Sequence, residues 1–279
     1  MKKSISLWSF AGGSLKDKME LAKKAGFEAI EVAMDEEGEI TPSSTEEQVK
    51  SVRKTADEIG IEISSLATGL FWKYSLTSGD PEVRKKGIEV GKKMLQAASW
   101  LGVDAILVVP GAVGVDFIPD SEVVPYDIAY ERAFEAIREL GEAGEEFGVT
   151  VCVENVWNKF LLSPLEMRDF IDKIGSPYVA AYFDVGNVLL TGYPEHWIRI
   201  LGKRIKRVHI KDFRRSVGNL SGFVDLLEGD VNWPEVMAAF GDVGYDGYIT
   251  AEMLPPYGHH PEALIYNTSK AMDFILGRA

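Results

Sequence analysis

Four side chains able to hold a divalent cation stand at the ends of four successive apolar runs. Glu154 closes VTVCVE, Asp184 closes VAAYFD, His209 lies near the end of RVHI and Glu252 closes GYITAE. Three carboxylates drawn together repel one another and rise in pKa unless a cation compensates them. An oxygen-rich set with one imidazole suits Mn²⁺ first, with Mg²⁺ or Co²⁺ as alternatives, better than a thiolate-type zinc site. Polar residues end many strands merely as turn formers or helix caps. Four ligand types in succession favour one shared ion over that reading.

The elements that must position these residues alternate regularly. Short runs rich in Ile, Val, Tyr or Leu predict strands over 4–8, 29–33, 61–67, 105–109, 149–154, 179–184, 207–210 and 247–252. Amphipathic stretches such as LKDKMELAKKAG and AYERAFEAIRELGEAGEEFG lie between them. Ser14 is the expected N-cap of the first helix, and helices run out into Gly-Phe-Glu, Gly-Ile-Glu, Gly-Val-Asp and Gly-Val-Thr before the next strand. Eight strands with intervening helices predict an α/β fold, a single (β/α)₈ TIM barrel over residues 1–279, with a doubly wound open sheet as the alternative. In such a barrel the active site lies at the C-terminal ends of the strands, where the four ligand types fall.

Composition narrows the partners. With 30 basic against 43 acidic residues the net charge is −13, which disfavours nucleic acid, since a duplex is bound mainly by neutralising its phosphates. No apolar run has the length of a membrane span, and the opening MKKSISLWSFAGGS carries too short an apolar part for a secretory signal. A single cysteine, Cys152, excludes a disulfide framework within the chain and suits a reducing compartment, so a cytoplasmic protein is expected. A small molecule is the expected partner, and association with copies of itself is left open.

The segments VENVWNKF, YFDVGN, VHIKDF and the closing AEM resemble the xylose-isomerase-like TIM-barrel superfamily. Within it they resemble ketose 3-epimerases and sugar-phosphate 3-epimerases, the D-tagatose 3-epimerase-like group. The likeness extends over SLTSGDPEVRKKGIEVGKKMLQAASWLGVDAILVVPG and FVDLLEGDVNWPEV, and so over nearly the whole chain. It implies one divalent ion held by Glu154, Asp184, His209 and Glu252, and inversion at C3 of a ketose or ketose phosphate through an enediolate. Glu154 and Glu252 are then the paired acid/base groups, one for each face of the planar intermediate. Two departures open the question of the sugar. Asn187 stands where free-ketose epimerases often carry a histidine, and Leu161 follows Asn158-Lys159-Phe160 where they carry a glutamate. Arg215 keeps the family's arginine six residues after the histidine ligand and is expected at the O1–O3 end of a substrate.

Other residues carry weaker expectations. Lys211, Arg214, Arg215 and Ser216 follow strand seven, where barrels often hold phosphate, and Lys159 and Lys73 can approach the same mouth; a solvated basic loop is the alternative. Trp8 and Trp72 are candidate sugar platforms, and Glu31 near the end of strand two a candidate hydroxyl partner. Asp212 is expected either to orient Lys211 or Arg215 or to form an ordinary surface ion pair. Cys152 reads as inward packing, His196 as surface or packing, and His259 and His260 as a solvated loop. An aldose–ketose isomerase or related enediolate enzyme is the second functional reading, with a deoxyribose-repair nuclease and a sugar-binding module behind it.

Overall fold

The computed structural model describes residues 1–278, and its eight long parallel strands close into a barrel. These are β1 (Lys2–Ser6), β2 (Ala29–Met34), β3 (Glu62–Thr68), β4 (Ala105–Val108), β5 (Thr150–Glu154), β6 (Val179–Asp184), β7 (Ile205–Ile210) and β10 (Tyr248–Ala251). Two further strands, β8 (Asp212–Phe213) and β9 (Phe223–Val224), pair antiparallel in the long loop after β7. The order around the barrel is β1-β10-β7-β6-β5-β4-β3-β2, so the doubly wound alternative is excluded. Register sets Thr250 beside His209 and Tyr182 beside Glu154.

The helices form where the sequence supplies caps. In α1 (Leu15–Lys24) the Ser14 hydroxyl accepts from Asp17 N while Asp17 reaches back to Ser14 N, a closed capping box. Six more helices here are α2 (Glu46–Ile59), α3 (Leu70–Lys73), α4 (Pro81–Leu101), α5 (Tyr126–Phe147), α6 (Pro164–Ile174) and α7 (Pro194–Leu201). The last two are α8 (Trp233–Asp242) and α9 (Pro261–Ile275). Gly102 and Gly148 end α4 and α5 at φ +70° and +66°, a conformation that costs a residue with a Cβ energy.

Two compact units carry these elements, and their boundaries fall inside β2, α2, β3 and β6. One comprises Met1–Val32, Ser51–Ser64 and Phe183–Ala279. In it Phe183 stacks on Trp197 at 6.3 Å, and buried Lys3 ties β1 to α9 through Ser269 and Asp273. The other comprises Ala33–Lys50 and Ser65–Tyr182. Its aromatic cluster sets Tyr130, Phe134 and Phe160 edge-on to Phe170, with centroids 5.5–6.1 Å apart.

Within this second unit α4 presses Gly87 against the preceding loop, where an added Cβ would lie 2.4 Å from the Tyr74 carbonyl oxygen. Ala exceeds Gly in helix propensity by about 1 kcal/mol, yet overpacking costs about 1–3 kcal/mol. A backbone oxygen cannot step aside, so the second effect wins. Gly87→Ala is expected to lower the urea midpoint despite its better helix former, and a raised midpoint would contradict this packing.

Candidate metal centre

The strand ends deliver the four ligand types as the alternation required. Glu154 and Asp184 are the last residues of β5 and β6, His209 is the penultimate residue of β7, and Glu252 is the first residue beyond β10. All four are buried, and each offers one ligand atom such that these atoms lie within 4.8 Å of one another. His209 Nδ1 stands 4.0 Å from both Asp184 Oδ2 and Glu252 Oε2, beyond hydrogen-bond reach but turned toward the same point. The backbone is pinned beneath them. Glu252 N donates to Ile210 O, Val185 N to His209 O and Asn187 N to Asp184 Oδ1.

Donor chemistry fits a divalent cation. Three carboxylates and an imidazole in the interior need positive charge among them, because buried charges persist only when paired. An ammonium already answers that need. Lys211 Nζ lies 3.1 Å from Asp184 Oδ2 and forms a short salt bridge with Glu252 Oε2. Burial pushes the Asp184 carboxyl above the usual range, with the Lys211 charge opposing and the Glu252 charge adding to the rise. Burial acts the same way on Glu252, but the Lys211 and His209 charges and the Lys211 hydrogen bond outweigh it. Glu252 is thus held below the usual carboxylate range.

Glu31 meets the imidazole from the opposite side. Both residues are fully buried, and Glu31 Oε1 lies 2.8 Å from His209 Nε2. With Nε2–H donating to this carboxylate, the neutral tautomer that a bound metal requires would turn its Nδ1 lone pair toward the centre, and the bond fixes the ring plane. Glu31, expected against a sugar hydroxyl, is therefore engaged by His209, one of the four candidate ligands. Partners of this kind are typically worth about 10–100-fold in metal affinity. Glu31→Ala is expected to weaken Mn²⁺ binding by that order in a calorimetric titration, while an unchanged affinity would show the ring is oriented without it.

The remaining expected site residues fall as follows. Trp8 is not the end of strand one: β1 stops at Ser6, and Trp8 lies half-buried in the 3₁₀ turn Leu7–Ser9, capped by the Ser6 hydroxyl. Trp72 lies in the short α3, edge-on to Phe117 at 5.2 Å. Lys159 takes φ +56° on the surface and pairs with Asp116, while Lys73 pairs with Glu36. Asn187 is buried in the turn after β6. Arg215 is exposed; its guanidinium donates to the Leu189 and Gly192 carbonyls and sits 4.9 Å from the Tyr193 ring centroid. Arg214 donates to the Glu228 carbonyl. Cys152 is buried, and His259 and His260 are exposed.

The structure places two residues where the sequence did not: Lys211, for which only the solvated-loop alternative is overturned, and Asp212. Lys211 does not belong to a solvated basic loop but reaches into the centre itself. Among the described residues, Asp212 makes no surface ion pair and bonds neither Lys211 nor Arg215. It is fully buried and accepts four hydrogen bonds from its own downstream loop. A signal for Lys211 was present, since it stands two residues after His209 and period-two alternation puts both on one face.

The fold and this carboxylate–imidazole centre define a strand-end site of the (β/α)₈ class. Residues 19–274 match the xylose isomerase-like TIM barrel family, and the chain belongs to that family. It is similar to the L-ribulose-5-phosphate 3-epimerase UlaE of Escherichia coli, with 23% identity over 96% of this chain and 91% of that protein. Among solved structures it resembles D-psicose 3-epimerase in the presence of D-fructose (20% identity, TM-score 0.82, 99% of this chain and 100% of that one). It also resembles the IolI protein with a bound zinc atom (18% identity, TM-score 0.81, 100% and 99%). Among the described residues, no helix is long and apolar enough to cross a membrane.

Proposed function

We propose that this chain is a divalent-metal-dependent epimerase that inverts C3 of a ketose or ketose phosphate, working as one catalytic domain over residues 1–279 in the cytoplasm. The observation that carries the reading is the buried cluster of Glu154, Asp184, His209 and Glu252 at the ends of four strands, already charged as a cation site. The resemblance to sugar 3-epimerases supports the substrate class. Bound in this cluster, a divalent ion, Mn²⁺ before Mg²⁺ or Co²⁺, supplies Lewis-acid polarisation of an oxygen beside the carbon that loses its proton.

The chain's own groups do the rest. Asp184 and His209 hold position, and Glu31 sets the imidazole. Glu154 and Glu252 move the C3 proton, one removing it from one face of the sugar and the other returning a proton to the opposite face through a planar enediolate. Trp8 and Trp72 cover the sugar against water, and Asn187, Arg215 and Lys159 contact its polar ends.

The test is a product screen over free and phosphorylated ketoses with Mn²⁺, Co²⁺ and Mg²⁺ in D₂O, followed by location of the label. Deuterium at C3 without aldose is the expected result. Deuterium at C1 or C2 with aldose formation would make the chain an aldose–ketose isomerase on the same centre. Measurable sugar binding with no exchange at any carbon would make it a binding protein.

A further inference from the structure

Lys211 lies immediately beyond β7, and its side chain turns inward rather than out to solvent. Its ammonium lies 3.1 Å from Asp184 Oδ2 and is bonded to Glu252 Oε2, two of the four groups assigned to the ion. A lysine and a divalent cation cannot both occupy the space between those oxygens, since two like charges that close repel strongly. The approach is built into the backbone. Gly186, two residues after Asp184, runs so close to the lysine stem that an added Cβ would stand 2.4 Å from Lys211 Cγ and 2.7 Å from Lys211 O. Any side chain at 186 would deny the lysine its path.

An alternative seat for the ammonium lies next door. A cleft of about 180 Å³ opens from the centre, lined by Lys211 and Glu252 on one side and by Phe223, Asp225 and Met253 among others. The Phe223 ring centroid is 5.3 Å from Lys211 Nζ, and Asp225 offers a carboxylate in the same wall. The ammonium already lies over that ring while it bonds Glu252, so a few side-chain rotations along the aromatic face would carry it from the two buried carboxylates to the acid at the cleft wall.

We propose that Lys211 is an internal counter-ion that exchanges with the metal: it sits between Asp184 and Glu252 in the metal-free chain and swings into the Phe223–Asp225 cleft when a divalent cation enters. This deepens the metal reading given above and rests on it. The lysine keeps the empty carboxylates from repelling one another, and it reduces metal affinity by the fraction of time the centre is occupied by its own ammonium. Displaced, it adds a cation to the cleft that Glu252 itself lines.

The experiment titrates the metal-free full chain and its Lys211→Met variant with MnCl₂ by calorimetry. The variant is expected to bind roughly tenfold more tightly, which corresponds to a centre closed by the lysine about nine-tenths of the time. Without metal it is expected to melt at a lower temperature than the parent, and with saturating Mn²⁺ to gain more. Equal or weaker Mn²⁺ binding by Lys211→Met overturns the proposal. Acetylation of lysines in the unmutated protein, read by mass spectrometry, tests the same motion even if the variant fails to fold. Mn²⁺ is expected to raise labelling at Lys211 several-fold while leaving exposed Lys173 unchanged; unchanged or reduced labelling at Lys211 overturns the exchange. Failure of the parent to bind Mn²⁺ at all removes the metal reading and this inference together. Binding that Glu154→Gln weakens, but in which Lys211 alters neither affinity nor labelling, removes this inference alone.

Discussion

Glu252→Gln is expected to cut epimerisation by about 10²–10⁴-fold, a barrier increase of roughly 3–5 kcal/mol, and Glu154→Gln to cut it by a similar factor. The substitution is nearly isosteric, and Glu252 is pinned through its backbone to Ile210, so the fold has no reason to move. What changes is that a carboxamide neither removes a carbon-bound proton nor returns one. Because both glutamates are also assigned to the ion, the comparison belongs at saturating Mn²⁺, where weakened metal binding no longer limits the rate. Two bases on opposite faces make a sharper claim than loss of activity. On the proposed assignment, Glu154 would still exchange the C3 proton of the epimer that faces it when Glu252 is replaced, and the reciprocal variant would exchange that of the other epimer. Deuterium wash-in measured separately from each epimer should therefore survive in one variant where it is lost in the other. Full turnover in either variant, or loss of exchange from the same epimer in both, would remove the two-base assignment.

The part of this centre that could be read from sequence is the part local periodicity controls. Val179–Asp184 forms as a strand over the span its apolar run predicts, and Glu154 ends β5 as alternation demands. The boundaries slip where backbone pairing, not side-chain type, decides them. Strand one begins at Lys2 because Lys2 pairs with Tyr248, and it ends at Ser6, so Trp8 turns out of the sheet. Glu252 falls one residue past β10 for the same reason. Contacts across the barrel interior leave no local trace. β1 and β10 separate β2 from β7 around the wall, so the bond between Glu31 and His209 crosses the lumen and joins residues 178 positions apart. Asp212 fails for a related reason. Its acceptor capacity is filled by Leu227, Val231 and Trp233, which a loop of 15–21 residues must first fold back to deliver. An aspartate amid basic residues reads as a surface group until that return is known.

That return makes Asp212 the residue whose loss should destabilise the chain most. Its Oδ1 accepts from Phe213 N at 2.9 Å and Val231 N at 3.1 Å, and its Oδ2 accepts from Leu227 N at 3.0 Å and Trp233 Nε1 at 3.1 Å. Alanine would leave these donors facing a void in the interior. Breaking a buried charged network costs about 3–5 kcal/mol, and a melting temperature lower by something on the order of 10 °C is expected. Asparagine separates charge from geometry. It has one oxygen where aspartate has two, so either flip of the amide points an NH₂ group at two N–H donors. Asp212→Asn is therefore expected to lose nearly as much stability as Asp212→Ala, although its shape is conserved. Gly229 approaches the same carboxylate so closely that an added Cβ would meet Asp212 Oδ1 at 2.1 Å, and Gly229→Ala should break the knot from the other side. Because the β8–β9 pairing lies at the root of this loop, the changes at Asp212 and Gly229 should also open 214–232 to protease before the chain unfolds globally. An Asp212→Asn variant as stable as the parent would show that the loop is held by the packing of Trp233 and Phe213 rather than by the carboxylate.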